Sequence, residues 1–177
     1  HLLYVRPSCF LKPLDMKVLF IDTVHPALAE TLSKNGYRCI DATQQSRADI
    51  LAGIADVDGV VIRSKFKIDA EFLSAAKSLK FIARSGSGLE NIDLRTAEER
   101  GLHVFNSPEG NRDAVGEQAT GMLLSLFNNL NRADAEVRQG LWRREENRGL
   151  ELKGKTVGII GFGQMGSAFA QRLRGFE

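Results

Sequence analysis

GVVIRSKFKIDAEFLSAAKSLKFIARSGSG, residues 59 to 88, contains two strand-length runs with a helical segment between them. GVVIRS (59 to 64) and KFIARS (80 to 85) are rich in Val, Ile and Phe, whereas DAEFLSAAKSL spaces its apolar residues at helical intervals. Strands joined through a helix run parallel, because the crossover carries the chain back to the end where it started. The same alternation extends both ways. KVLFID (17 to 22), YRCIDA (37 to 42) and LHVFNS (102 to 107) read as further strands, and PALAETLSKNG, RADILAGIA and DLRTAEERG as further helices. Gly36 and Gly101 stand where helix C-caps belong. Five strand–helix repeats predict an open α/β layer: a parallel sheet, right-handed crossovers, and helices on both faces.

Open parallel sheets take their ligands beyond the carboxyl ends of the strands. The residues there are Asp22, Arg63 and Ser64, Arg84 to Gly88, and Asn106 to Pro108. In RSGSGLENID (84 to 93), two glycines directly after a strand would free backbone N–H groups to form a small anion nest for a carboxylate. The simpler reading is a strand-ending turn, with Asp93 as N-cap of the next helix. Arg63 could grip a carboxylate or phosphate in bidentate fashion, whereas Lys65 and Lys67 would act only as point charges; any of the three could instead be a solvated surface charge, Lys67 above all. SPEGN (107 to 111) is either a rigid hinge or a second anion site at a helix N-terminus.

From Asn111 to Gly140 the pattern is one long helix or two broken ones, and GLWRREENRGLELKG is loop-like. KTVGIIG then reads as a buried strand and QMGSAFAQRLRG as a helix, with Gly161, Gly163 and Gly166 at GxGxxG spacing between them. In that setting Gly161 permits the turn, Gly163 lets backbone approach a pyrophosphate, and Gly166 lets the helix pack closely on the strand. The phosphates would meet the N–H groups and positive dipole end of the helix. A strand-to-helix turn without a ligand has the same spacing. The acidic residue that would choose NAD over NADP falls about twenty positions on, beyond Glu177.

With 24 basic and 22 acidic side chains mixed along the chain, no segment is built to neutralise many phosphates, and no nucleic-acid partner is expected. No membrane span or signal peptide is expected in HLLYVRPSCFLKPLD, whose apolar residues are broken by Arg6, Pro7, Lys12 and Pro13. Residues 1 to 15 read as a non-native or disordered tail, with Met16 as the natural start. Cys9 and Cys39 lack CxxC spacing and suit a reducing, cytoplasmic compartment as inert thiols. His25 and His103 have no partner at metal-ligand spacing, so no metal site is expected. Neither GxSxG nor a Cys–His arrangement supports hydrolase chemistry.

VVIRS, RSGSGLENIDL, VFNSPEGN, GEQATGMLLSL, the GLW turn and LKGKTVGIIGFGQMG, in this order, resemble the D-isomer-specific 2-hydroxyacid dehydrogenases from Met16 to the last residue. The resemblance implies a flavodoxin-like substrate domain over 16–110. A connector helix and the start of an NAD-binding Rossmann domain, incomplete, would occupy 111–177. In that family substrate and cofactor meet in the cleft between the two. It implies that Arg63 and Ser64 face the substrate, that the Gly86-Ser87-Gly88 backbone holds its carboxylate, and that Asn106 lines the cleft. Ser87 would lie near the nicotinamide, and Gln164 and Met165, with Gly161, Gly163 and Gly166, on the pyrophosphate. Trp142, with Arg143 and Arg144, matches a segment that packs against a partner subunit, so a homodimer is implied.

The implied reaction oxidises the CH–OH group of a D-2-hydroxy acid with NAD or NADP as hydride acceptor. Arg63 and Lys65, with Arg143 or Arg144 reaching in from a partner, would suit a phosphorylated substrate such as 3-phosphoglycerate, and the same residues would tolerate glyoxylate, hydroxypyruvate or lactate. The family's catalytic Arg, Glu and His lie downstream of the glycine motif. The expectation is therefore an N-terminal fragment without catalytic residues of its own, folded over about 16–110, loosely held in its last quarter and inactive alone. The alternative is a non-catalytic NAD-sensing binding protein or corepressor of the same fold; a methyltransferase is the more remote reading.

Overall fold

The computed structural model describes residues 15–176. The expected tail and Cys9 lie outside the described residues, apart from Asp15. Two compact units divide between Ser107 and Pro108.

The first unit is a five-stranded, wholly parallel sheet. Its strands are β1 (Lys17–Phe20), β2 (Arg38–Asp41), β3 (Gly59–Ile62), β4 (Phe81–Arg84) and β5 (His103–Phe105). They lie in the order β2-β1-β3-β4-β5, which is the flavodoxin-like order, with its topological switch between β1 and β3. The strands are the cores of the runs read from sequence, shorter by two or three residues as the chain leaves the ladder.

Alternation along each strand sorts side chains between two faces. Leu19, Ile21, Val60, Ile62 and Ile82 point to one face, which is covered by α2 (Arg47–Gly53), α3 (Ala70–Ala75) and α4 (Leu94–Glu99) through Ile50, Phe72, Leu73 and Ala97. Val18, Phe20 and Val61 point to the other, where α1 (Pro26–Lys34) contributes Ala29 and Leu32.

The helix ends follow local chemistry. Ser46 and Asp49 form a capping box on α2, and the Asp69 and Asp93 carboxylates accept the N–H groups of Phe72 and Thr96 to start α3 and α4. Gly36 and Gly101 take φ of 87° and 67° as the chain leaves α1 and α4. The Arg100 guanidinium, donating to the carbonyls of Leu73 and Ala76, closes the far end of α3.

In the second unit, the segment read as one long or two broken helices is two: α5 (Arg112–Phe127) and α6 (Leu130–Arg138), separated by Asn129 in the left-handed region at φ 52°. A third helix, α7 (Gln164–Leu173), packs on α5 at Gly116, where an added Cβ would lie 3.0 Å from the Ala168 carbonyl carbon. Arg172 reinforces the contact with Asp113 at 3.2 Å and Glu117 at 3.4 Å.

KTVGIIG departs from the expected buried strand. No strand is assigned there, and Ile160 is fully exposed. A parallel strand needs a neighbour to receive its N–H and C=O groups, and among the described residues none pairs with it.

Candidate functional site

The carboxyl ends of β1, β3, β4 and β5 bring together most of the residues flagged in the first unit. Asp22, just past β1, directs one carboxylate oxygen into the turn that follows β3. Its Oδ2 accepts the backbone N–H groups of Arg63, Ser64 and Lys65 at 2.7, 2.9 and 3.0 Å. The carbonyl of Arg63 is held from the other side by Arg84 Nε at 3.1 Å and Asn91 Nδ2 at 3.4 Å. The Arg63 peptide units are thus fixed in both directions. Its exposed guanidinium has no hydrogen-bond or ion-pair partner among the described residues.

Lys65 behaves differently from its sequence reading. Its ammonium donates to the carbonyls of Thr43 and Gln45 at 2.7 and 2.8 Å, tying the end of β3 to the loop after β2. A charge committed to two carbonyls serves the scaffold, so the pairing of Lys65 with Arg63 as substrate grips is not reproduced.

The β4 loop is clamped to its neighbours. Ser85 N–H donates to Ile62 O at 2.8 Å and Gly86 N–H to Arg84 O at 2.9 Å. The carbonyls of Gly86 and Ser87 receive Ser107 N–H at 2.9 Å and Asn106 Nδ2 at 2.6 Å. A parallel bridge between Ile68 and Ile92 locks the loop after β3 to the loop after β4. With these bonds made, the N–H groups of Ser87 and Gly88 have no acceptor among the described residues. Two adjacent free donors in a fixed loop are what a carboxylate requires. Arg84 lies against Gly86, where an added Cβ would fall 2.7 Å from its Nη1, and its side chain is 14% exposed and 3.5 Å from Glu90. Asn106 acts here as a clamp on the Ser87 carbonyl.

Asp22, Arg84 and Asn91 complete this arrangement. Each sits at a strand end or in the loop beyond, so its position was legible in the sequence. Its partner was not, because the bonds span 21 to 43 residues of chain. Asn91 also carries the one buried side-chain polar atom without a partner among the described residues, Oδ1. Those residues include no cluster of three or more His, Cys, Asp or Glu placed to hold a metal ion. Among the described residues Cys39 is a free thiol, and no helix is long and apolar enough to cross a membrane.

The second unit holds the residues expected to bind the cofactor's pyrophosphate at the turn into α7. Gly161 takes φ 90°, a conformation that favours glycine. A Cβ on Gly166 would lie 2.1 Å from the Gly161 carbonyl oxygen, whereas a Cβ on Gly163 would meet nothing within 4 Å. Gly163 is the N-cap of α7 without a side-chain cap, so the first-turn N–H groups at Gln164, Met165 and Gly166 are left for an external acceptor. The Gln164 amide reaches Glu109 Oε1 at 3.4 Å, and Met165 is half-buried. A tight turn, an open glycine and an uncapped helix fit a pyrophosphate.

Comparison with known proteins agrees with this geometry. The chain is 37% identical over 162 residues to D-3-phosphoglycerate dehydrogenase of Archaeoglobus fulgidus, covering 92% of this chain and 31% of that protein. Among solved structures, a glyoxylate reductase from Paecilomyes thermophila superposes with a TM-score of 0.79 at 27% identity, covering 92% of this chain and 53% of that one. An NAD-dependent formate dehydrogenase from Staphylococcus aureus, in complex with NAD, gives 0.73 at 26% identity, covering 91% and 54%. The chain therefore spans about a third of the curated relative and about half of each solved chain. Residues 18–171 match the catalytic-domain model of the D-isomer specific 2-hydroxyacid dehydrogenases, and the chain belongs to that enzyme family.

Proposed function

We propose that the protein is an oxidoreductase acting on the CH–OH group of a D-2-hydroxy acid, with 3-phosphoglycerate as the first substrate to test and NAD or NADP as hydride acceptor. The observation that carries this reading is the pair of free N–H groups at Ser87 and Gly88, in the β4 loop that also carries Arg84 and is clamped by Asn106. A 2-hydroxy or 2-oxo acid presents the carboxylate that such donors bind. Arg63, Ser64, Gly86, Ser87, Gly88 and Asn106 then make up the substrate side, and the unpaired Arg63 guanidinium suits a second anionic group.

The bound dinucleotide supplies the nicotinamide that accepts the hydride. Gly161, Gly163, Gln164, Met165 and Gly166 would hold its pyrophosphate through backbone N–H groups, and Ser87 is assigned to the nicotinamide side by family resemblance. That resemblance places the proton-transferring Arg, Glu and His downstream of the glycine motif, and none of this chain's residues is assigned to proton transfer. Residues 16–110 serve as the substrate domain, and 111–177 as the connector helix and the start of the cofactor domain.

The protein is further proposed to work in the cytoplasm, in serine biosynthesis, as a homodimer. Trp142, 81% exposed, follows exposed Val137 and Leu141 along the end of α6, which supports burial against a second subunit.

The test is NADH formation by the complete protein with D-3-phosphoglycerate, compared with D-lactate, and NADH consumption with glyoxylate and hydroxypyruvate. Turnover with any of these supports the reading, and their relative kcat/KM assigns the substrate. Dinucleotide binding without turnover on any of them would favour a non-catalytic sensor.

A further inference from the structure

The anion nest nearest the topological switch is already filled, by the protein itself. Three consecutive N–H groups, of Arg63, Ser64 and Lys65, converge on a single oxygen, Asp22 Oδ2, within 2.7 to 3.0 Å. Successive backbone donors converging on one point form the concavity that in other proteins receives a phosphate or carboxylate ligand. This carboxylate belongs to Asp22, just past the end of β1 and one strand away, so the bond crosses the β1/β3 switch. Bonds to an ionised acceptor are stronger than neutral ones, and three on one oxygen fix the turn more firmly than the exposed loop could fix itself.

We infer that Asp22 is a positioning residue: as an internal anion, it sets the backbone of the turn from Arg63 to Lys65 and so presents Arg63 to the substrate. This rests on the proposed role of Arg63. Asp22 touches no reacting atom and acts only through the turn. Neighbouring ties place the turn from other directions, through Arg84 and Asn91 on the Arg63 carbonyl and through Lys65 on the Thr43 and Gln45 carbonyls. Of these ties, Asp22 alone engages the N–H side. Self-occupation of this nest also directs an incoming carboxylate to the next strand, to the free donors of Ser87 and Gly88.

The experiment compares Asp22→Ala, Asp22→Asn and the unaltered complete protein in two readouts. Amide hydrogen exchange at Arg63, Ser64 and Lys65 reports on the nest without reference to catalysis. Exchange is expected to accelerate on the order of tenfold or more in Asp22→Ala and less in Asp22→Asn, which keeps an oxygen acceptor but no charge. Acetate should slow it again in Asp22→Ala, because a small carboxylate fits the vacated nest, and should leave the unaltered protein unchanged. The KM for the 2-oxo acid should rise on the order of tenfold in Asp22→Ala, with kcat less affected.

Unchanged exchange at all three amides overturns the inference. So does exchange that stays fast in acetate, or fast exchange with an unchanged KM. If Asp22→Ala does not fold, the exchange and KM readouts pass to Asp22→Asn. Absence of hydride transfer by the unaltered protein would sink the proposed function, while the exchange data would still decide the role of Asp22 in the turn.

Discussion

Gly161 and Gly166 form one contact: a Cβ on Gly166 would sit 2.1 Å from the Gly161 carbonyl oxygen. Backbone on both sides leaves nothing to swing away, so Gly166→Ala forces the turn and the start of α7 apart, at a cost of about 1–3 kcal/mol. Gly163→Ala meets nothing within 4 Å and is neutral for folding. Calorimetry of dinucleotide binding tests both, and circular dichroism with thermal unfolding separates them. Both are expected to weaken affinity on the order of tenfold or more, but only Gly166→Ala alters the circular dichroism and thermal midpoint. Unchanged affinity in Gly163→Ala would show that no pyrophosphate lies against this turn.

Arg63 and Lys65, two residues apart, should respond in opposite ways. The Arg63 guanidinium has no partner among the described residues, so Arg63→Ala leaves stability within about 0.5 kcal/mol and raises KM strongly. Lys65 bridges to the carbonyls of Thr43 and Gln45, so Lys65→Met is expected to lower stability by about 1 kcal/mol with a smaller effect on KM. Urea unfolding and steady-state kinetics on the same two variants check both halves.

The contrast shows what sequence could and could not supply. Strand-length apolar runs, helical spacing, and glycines at 36 and 101 gave the parallel layer, because these signals are local and periodic. The site positions were legible for the same reason: they are the residues that end strands. Pairing was not legible, because Asp22 meets Arg63 only after β1 and β3 have become neighbours. KTVGIIG failed for a related reason. Its composition is that of a strand, but a strand exists only with a partner, and none pairs with it among the described residues.

Gly59 lies beside Phe81 in the β3–β4 register, and a Cβ on it would fall 2.1 Å from the ring's Cζ. The ring occupies the space a side chain would take. Gly59→Ala should therefore destabilise by about 1–3 kcal/mol through overpacking. Placed on Phe81→Leu, the same change should cost much less, giving a non-additive double-mutant cycle. Additive effects in urea unfolding would mean that the ring simply moves aside.

Acid stability should depend on the cap of α4. Asp93 accepts the Thr96 hydroxyl at 2.7 Å and the Thr96 N–H at 3.1 Å, and these bonds, the hydroxyl first, hold its carboxyl below the usual carboxylate range. A pKa lower in the folded than in the unfolded chain, where it is about 3.9, gives stability that is complete above that value and lost as pH falls through the folded pKa. Asp93→Asn keeps a cap but takes up no proton. Its unfolding midpoint should therefore change less than that of the unaltered chain between about pH 6 and pH 3. Parallel pH profiles would remove Asp93 from the acid response.

The unpaired KTVGIIG segment makes the last prediction. Ile160 is fully exposed and Phe162 is 71% exposed, on either side of Gly161. Unpaired backbone with open hydrogen-bonding groups and large apolar side chains is a template for another chain to pair with. The 177-residue chain is expected to bind a hydrophobic dye and to associate as its concentration rises. Ile160→Lys combined with Phe162→Ser should suppress both, because a charge at an exposed edge blocks pairing. Neither side chain packs in the first unit's core, so the unfolding midpoint of the sheet should stay where it is. If association persists in the double variant while Trp142→Ser abolishes it, the sticky surface is the loop after α6 rather than the unpaired KTVGIIG segment, and the contact is the one proposed for a homodimer.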